Sequence, residues 1–140
     1  MMGRIAAAVR QGRAGRAALT ALWDEIGAGG DPLHRCSLAH HLADLQDEPE
    51  AELVWDERAL AAVAELTDER ARRYHAALRV RAFLPSLHLN LADVHHRLDH
   101  PEQAREHLAA ARAAVHELPD DGYGQMIRGG MLNLAGKLVP

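Results

Sequence analysis

The sequence predicts an all-α protein: a short α-solenoid of about seven helices in a right-handed stack. Two observations support this fold class. A helical hairpin pattern occurs twice, with equivalent positions separated by about 53 residues. The apolar residues are mainly Ala, Leu and Val, and aromatic residues make up only 4% of the chain. This composition favours closely packed helices over strands. The 140 residues are enough for one domain, 1–140, with one core.

The two hairpins, over about 33–64 and 85–118, place similar residues at equivalent positions. Leu38, Ala39, Leu45, Ala51 and Trp55 correspond to Leu91, Ala92, Leu98, Ala104 and Leu108. A helix pair that is duplicated in this way predicts stacked hairpins, and stacked hairpins generally form binding surfaces.

The segment before the first hairpin predicts capping helices. Leu19, Leu22, Trp23 and Ile26 recur at helical spacing and predict one amphipathic helix. The glycine-rich segment 27–30 ends this helix.

Each hairpin helix of the first copy begins at an acid–proline signal. Asp31-Pro32 predicts a helix over about 32–45, and Glu48-Pro49 predicts the next helix. The inward residues are predicted to be Leu38, Leu42 and Leu45 on the first of these helices, and Ala51, Trp55, Ala59 and Val63 on the second.

Between the hairpins, Thr67-Asp68 predicts an inserted, arginine-rich helix over about 67–83. We expect its arginines to form a solvated face; pairing with acids of the preceding helix, Asp56 among them, and docking of an acidic partner are the alternatives. Pro85 predicts a break or kink, because proline removes a backbone donor and restricts the residue before it. Helices over about 85–98 and 101–117 then form the second hairpin.

The C-terminal segment predicts a last helix over about 123–138. Its apolar residues are Met126, Ile127, Met131, Leu134 and Leu138. Gly129-Gly130 lies in its middle, and a helical glycine costs about 1 kcal/mol relative to alanine. We therefore expect this helix to approach a neighbouring helix closely at that point.

The two hairpins resemble tetratricopeptide repeats. The resemblance rests on the large–small pairs Leu38-Ala39 and Leu91-Ala92, on the small residues Ala51 and Ala104, and on the bulky residues Trp55 and Leu108. It covers under half of the chain. Leu42 and His95 replace the family's tyrosine, Gln46 and Asp99 replace its turn glycine, and the 53-residue spacing exceeds its period.

The resemblance implies a concave binding face on the first helix of each hairpin, and hence a non-enzymatic module that binds a protein or peptide. The partner-binding residues implied are Cys36, Ser37, His40, Asp44, Ser86, Asn90, Asp93, His96 and Arg97. Helical spacing agrees, because Cys36, His40 and Asp44 lie at i, i+4 and i+8. A solvated helix face is the alternative interpretation of these polar residues.

Histidine-rich segments raise a second hypothesis, a metal-binding protein. Cys36 and His40 are one turn apart, and Asp93 or His96 would complete a tetrahedral set. The spacing matches no established metal signature, so we expect no cofactor. His95 occupies an inward repeat position and is expected to be a hydrogen-bonded core residue. A Cys36–His40 nucleophile is disfavoured, because a helix interior offers no free backbone donors for an oxyanion.

Charge and cysteine content limit the partners and the compartment. The net charge of −4 argues against a general nucleic-acid binder. A single cysteine excludes a disulfide framework within the chain, and no apolar stretch approaches the ~20 residues of a membrane span. The Arg-rich start resembles a transit peptide, but we expect a capping helix in a cytoplasmic, bacterial protein. The terminal apolar residues are expected to form caps or the seam of a homodimer.

Overall fold

The computed structural model describes residues 1–27, 29–65, 76–118 and 120–138, with the backbone alone over 76–83 and at 117. These residues form seven α-helices: α1 Met2–Arg10, α2 Arg16–Ile26, α3 Pro32–Asp44, α4 Pro49–Ala64, α5 Ala76–Arg97, α6 Pro101–Ala113 and α7 Gly122–Lys137. Short 3₁₀ turns occupy Gly12–Gly15 and Val115–Glu117. No strand occurs in the described ranges, so the prediction of an all-helical protein is confirmed. None of the described helices combines the length and the apolar character that crossing a bilayer requires.

Most predicted helix boundaries agree with the structure because their signals are local. The Asp31 side chain caps α3 by accepting a hydrogen bond from the backbone N–H of Leu33 at 2.9 Å. Proline is in the first turn of α3, α4 and α6. α2 ends at Gly27, whose φ of 64° is readily available only to glycine.

Of the break or kink predicted at Pro85, the break is wrong, and the kink stays a prediction. α5 continues through Pro85 as one helix from Ala76 to Arg97. Pro85 is fully buried, so the packing of its ring offsets the lost backbone hydrogen bond. The inserted helix predicted over 67–83 falls partly outside the described residues, and 76–83 form the first part of α5.

The chain forms two compact units, Met1–Arg70 (unit 1) and Ala71–Pro140 (unit 2). Unit 1 places α1 and α2 against the α3–α4 hairpin. Its core consists of buried residues from three helices: Ile5, Ala8, Leu19, Leu22, Leu38 and Leu42. The N-terminal arginines pair with acids of the same unit: Arg4 makes two 2.8 Å hydrogen bonds to Glu25, and Arg13 contacts Asp47 at 2.8 Å.

Unit 2 places α7 against the α5–α6 hairpin. Its core consists of Ala92, Ala104, Leu108, Ala111, Leu118, Ile127, Met131, Leu134 and Leu138. Gly130 confirms the predicted close approach, because a Cβ atom there would lie 2.8 Å from Cδ2 of Leu89. Gly129 does not take part in it, since a Cβ atom there would meet no atom within 4 Å.

The two hairpins bury their equivalent residues to different extents. Leu38 and Ala39 are fully buried, as are Leu91 and Ala92. On the second helix of each hairpin the copies differ. Ala104 and Leu108 are buried, whereas Ala51 and Trp55 are half-buried. Trp55 is therefore at the edge of the core of unit 1 rather than inside it.

The apolar residues considered for a homodimer seam mostly face the core of their own unit. Leu19, Leu22, Ile127, Met131 and Leu134 are all buried. Met126 alone among the α7 residues of that set is strongly exposed, at 64%. These residues therefore pack mainly within their own units, and the choice between caps and a homodimer seam stays a prediction.

Candidate functional site

The predicted partner-binding residues divide between the two units and differ in exposure. In unit 1, Cys36 and Ser37 are buried and Asp44 is exposed. In unit 2, Ser86 is buried and Arg97 is exposed. Half-buried side chains complete the set: His40, Asn90, Asp93 and His96. Cys36 and Ser86 are 1% and 5% exposed, which leaves a partner almost no surface to contact.

A cleft in unit 2 brings Asn90 and Asp93 together with residues of α7. The cleft has a volume of about 200 Å³. Its lining residues are Leu89, Asn90, Asp93, Gly130, Asn133, Leu134 and Lys137. We call it the α5–α7 cleft. Its walls are two amides, one carboxylate and one ammonium, over a floor of leucine and glycine. The volume is below the roughly 300–1,000 Å³ of small-molecule pockets, which favours a side chain or a short stretch of chain as the occupant.

Three polar side chains of the α5–α7 cleft are available for a ligand. Asn90, Asn133 and Lys137 make no side-chain hydrogen bond or ion pair with any other described residue. Each amide offers both a donor and an acceptor, and the ammonium group offers three donors. Lys137 is also the only lysine of the chain. The cleft therefore presents uncommitted donors and acceptors of the kind that a peptide main chain or a carboxylate needs.

The fourth polar residue of the cleft is already paired. Asp93 accepts a hydrogen bond from Nε of Arg97 at 3.0 Å, one turn further along α5. Arg97 does not line the cleft. It therefore acts on this site by orienting the Asp93 carboxylate rather than by contacting a ligand there.

Unit 1 contains a second cleft. Its position along the α3–α4 hairpin is equivalent to that of the α5–α7 cleft along the α5–α6 hairpin. It has a volume of about 280 Å³. Its lining residues are Met2, Ile5, Ala6, Val9, Arg10, Ser37 and His41. Ser37 is the residue 53 positions before Asn90, so the same position of each hairpin lines a cleft beside a terminal helix. This α1–α3 cleft is mainly apolar.

The predicted metal set divides between the units, with Cys36 and His40 in unit 1 and Asp93 and His96 in unit 2. No three His, Cys, Asp or Glu side chains among the described residues are arranged to hold a metal ion. Burial raises the pKa of the Cys36 thiol to about 12, so the thiol is neutral near pH 7. Burial also lowers the pKa of His40, although the Asp44 charge partly opposes this effect.

Histidines instead pair across the α5–α6 hairpin. Nδ1 of His88 lies 3.1 Å from Nδ1 of His107, and Nδ1 of His95 lies 3.1 Å from Nδ1 of His100. The rings of His95 and His107 are parallel within 6°, with centroids 5.5 Å apart. His95 is 7% exposed, which confirms its predicted role as a hydrogen-bonded core residue.

Sequence reasoning missed Asn133, Lys137 and His107. The first two lie on α7, more than 40 residues after Asn90, and no local pattern links them to it. His107 had a detectable signal. His88 and His95 are seven residues apart on one helix face, and His100 and His107 repeat that spacing after the turn.

Comparison with family models, with curated proteins and with solved structures finds no match to this chain.

Proposed function

We propose that this protein is a non-enzymatic module that binds a protein or peptide, and that the α5–α7 cleft is the contact site. The observation that carries the proposal is the group of uncommitted polar side chains at Asn90, Asn133 and Lys137 beside the ordered carboxylate of Asp93. A cytoplasmic location and the tetratricopeptide-like, solenoid arrangement of the hairpins belong to the same proposal.

The chemistry of the cleft favours an extended segment that carries a carboxylate. The two amides pair with main-chain N–H and C=O groups whatever the side chains of the segment are. The ammonium group of Lys137 pairs with an acidic side chain or a C-terminal carboxylate. The apolar floor formed by Leu89 and Leu134 accommodates one small apolar side chain.

The test is a peptide-library selection against the immobilised full chain, followed by affinity measurements on the selected peptides. Asn90→Ala and Lys137→Ala are each expected to weaken binding by about 1–3 kcal/mol, or roughly 5- to 150-fold. Arg97→Ala should weaken it less, because Arg97 acts through Asp93. Helix content by circular dichroism should remain unchanged in all three variants.

Adjacent glycines provide a matched pair of variants. Gly130→Ala introduces a methyl group 2.8 Å from the Leu89 side chain, which must then shift within the cleft. Gly129→Ala introduces the same group into open space. We expect Gly130→Ala to weaken binding and Gly129→Ala to leave it unchanged. Equal affinities for these two variants, with binding retained in Asn90→Ala, would place the binding site elsewhere.

A further inference from the structure

The paired histidines of unit 2 meet end to end. In each pair the ring centroids are 5.3 Å apart and the Nδ1 atoms 3.1 Å apart. The difference between these distances is about the sum of the two ring radii, so the nitrogens lie nearly on the line that joins the rings. This is the geometry of an N–H···N hydrogen bond, in which one ring donates and the other accepts.

The same geometry does not fit a metal ion between the rings. Imidazole nitrogens bind first-row ions at about 2.0–2.1 Å, so an ion on this line requires nitrogens about 4 Å apart. At 3.1 Å the space between them accommodates a proton.

Each pair therefore has a limited capacity for protons. A neutral pair holds one shared N–H, and a singly protonated pair keeps that hydrogen bond. A doubly protonated pair directs two N–H donors and two positive charges at each other, and the contact is lost. The parallel rings of His95 and His107 bring the two pairs close together, so charge on one pair opposes protonation of the other.

The surroundings of His88 favour its neutral form. Burial is the largest cause that lowers the pKa of His88, and the charge of His107 lowers it further. Other titratable or charged groups also lie on the elements of this unit. Those with described side chains are Asp93, His96 and Arg97 on α5, Asp99 in the turn, Glu102, Arg105, Glu106 and Arg112 on α6, His116 after α6, Asp120 and Asp121 before α7, and Tyr123, Arg128 and Lys137 on α7. Of these, Asp93 pairs with Arg97, and Arg105 donates to the carbonyl of Leu138 at 3.4 Å.

We propose that His88, His95, His100 and His107 form an acid-sensitive clasp that holds α6 against α5 at neutral pH and releases it when the cluster takes up protons. The clasp lies within one hairpin, with the His95–His100 pair at the turn and the His88–His107 pair further along the two helices. It does not depend on the proposed peptide binding.

The experiment is amide hydrogen exchange of the full chain at about pH 7 and about pH 5, corrected for the intrinsic pH dependence of exchange. Protection of the α6 amides is expected to fall by roughly tenfold or more, because loss of the paired contacts raises the population in which α6 is open. His88→Gln/His107→Gln and His95→Gln/His100→Gln should each reduce this fall, since paired amides keep a hydrogen bond and do not titrate. His34→Gln, which removes a histidine from unit 1, should not reduce it.

A nitrogen NMR titration of the wild-type imidazoles provides a test that needs no substitution. At about pH 7 we expect one Nδ1 of each pair to carry a proton and the other to accept the hydrogen bond, and at about pH 5 we expect the coupling between the paired nitrogens to be lost. Absence of that coupling at pH 7 would overturn the proposal. Unchanged α6 protection at low pH would overturn it too, as would a full loss of protection in both double variants.

Discussion

At the scale of single residues, Trp23, Trp55 and Arg58 form a cluster that stabilises unit 1 through ring contacts. The two indoles meet edge to face at 5.1 Å and 87°. The Arg58 guanidinium lies 4.6 Å from the centroid of the Trp55 ring and 5.6 Å from that of Trp23. Edge-to-face pairs contribute about 0.5–1.5 kcal/mol beyond the buried area, and cation–π contacts add to them.

Trp55→Ala is expected to lower the free energy of unfolding by about 1–3 kcal/mol. Replacing a fully buried aromatic residue by alanine costs more, about 3–5 kcal/mol. The reason is that Trp55 is half-buried and loses mainly its contacts with Trp23 and Arg58. Urea denaturation followed by circular dichroism measures the change. Val54→Ala on the same helix removes a side chain that is 45% exposed and should have little effect. A loss as large for Val54→Ala as for Trp55→Ala would contradict the assignment of the two helix faces.

Cys36 is expected to be chemically inert in the folded protein. It is 1% exposed, and burial raises its pKa to about 12, so the reactive thiolate is scarce at neutral pH. A thiol-reactive disulfide reagent should react slowly with the native protein and stoichiometrically in denaturant. Rapid reaction of the native protein would show that Cys36 is accessible.

Asp56 shows where residue-level prediction from the sequence reaches its limit. Its neighbours Glu57 and Arg58 are exposed, yet Asp56 is fully buried. Charged side chains are rarely buried without a partner, so composition favours the surface for this residue. The arginines that are alternative partners of Asp56 are on the segment 67–83, whose side chains lie outside the described residues.

At the scale of elements, the helix starts show which local signals contribute stability. Asp31 and Glu48 both precede a proline, but only Asp31 makes a side-chain cap bond. Asp31→Ala is therefore expected to cost about 0.5–2 kcal/mol. Glu48→Ala should cost clearly less, because no hydrogen bond is lost. Thermal unfolding of the two variants under identical conditions makes the comparison, and equal losses would show that the cap bond does not contribute.

The starts and ends of helices were predicted well where the sequence signal was local. They were predicted poorly where tertiary packing determined the structure. The start of α3 followed from Asp31-Pro32 alone. The continuity of α5 did not, because it depends on burial of the Pro85 ring, which no sequence window contains. The residues of the candidate site also divide into those that a local pattern predicts and those that only tertiary packing brings to the site. Asn90 and Asp93 could be placed on one helix face, whereas Lys137 reaches the same cleft only through the packing of α7 on α5.

At the scale of the whole molecule, the two units bury their histidines differently. In unit 1, burial lowers the pKa of both His40 and His41, and the Asp44 charge raises it by a smaller amount. In unit 2 the histidines satisfy one another in pairs. Acid should therefore destabilise each unit for its own reason: protonation of buried imidazoles in unit 1, and loss of the Nδ1 contacts in unit 2.

The stability of unit 1 is expected to fall as the pH falls below 6.5, the ordinary histidine value. A histidine with a lowered pKa in the folded state binds fewer protons there than in the unfolded chain. The contribution of such a histidine to the stability of unit 1 is therefore complete above pH 6.5. It declines as the unfolded chain takes up protons, and it levels off below the folded-state pKa.

Tryptophan fluorescence follows unit 1 selectively, because the protein has two tryptophans, Trp23 and Trp55, and both lie in that unit. The urea midpoint measured by fluorescence should be lower at about pH 5 than at about pH 7. His41→Gln should reduce this difference, because His41 is half-buried and its replacement does not titrate. His116→Gln is the control, since His116 is exposed and lies in unit 2. A midpoint that is equal at both pH values would mean that His40 and His41 take up protons in the folded unit as readily as in the unfolded chain.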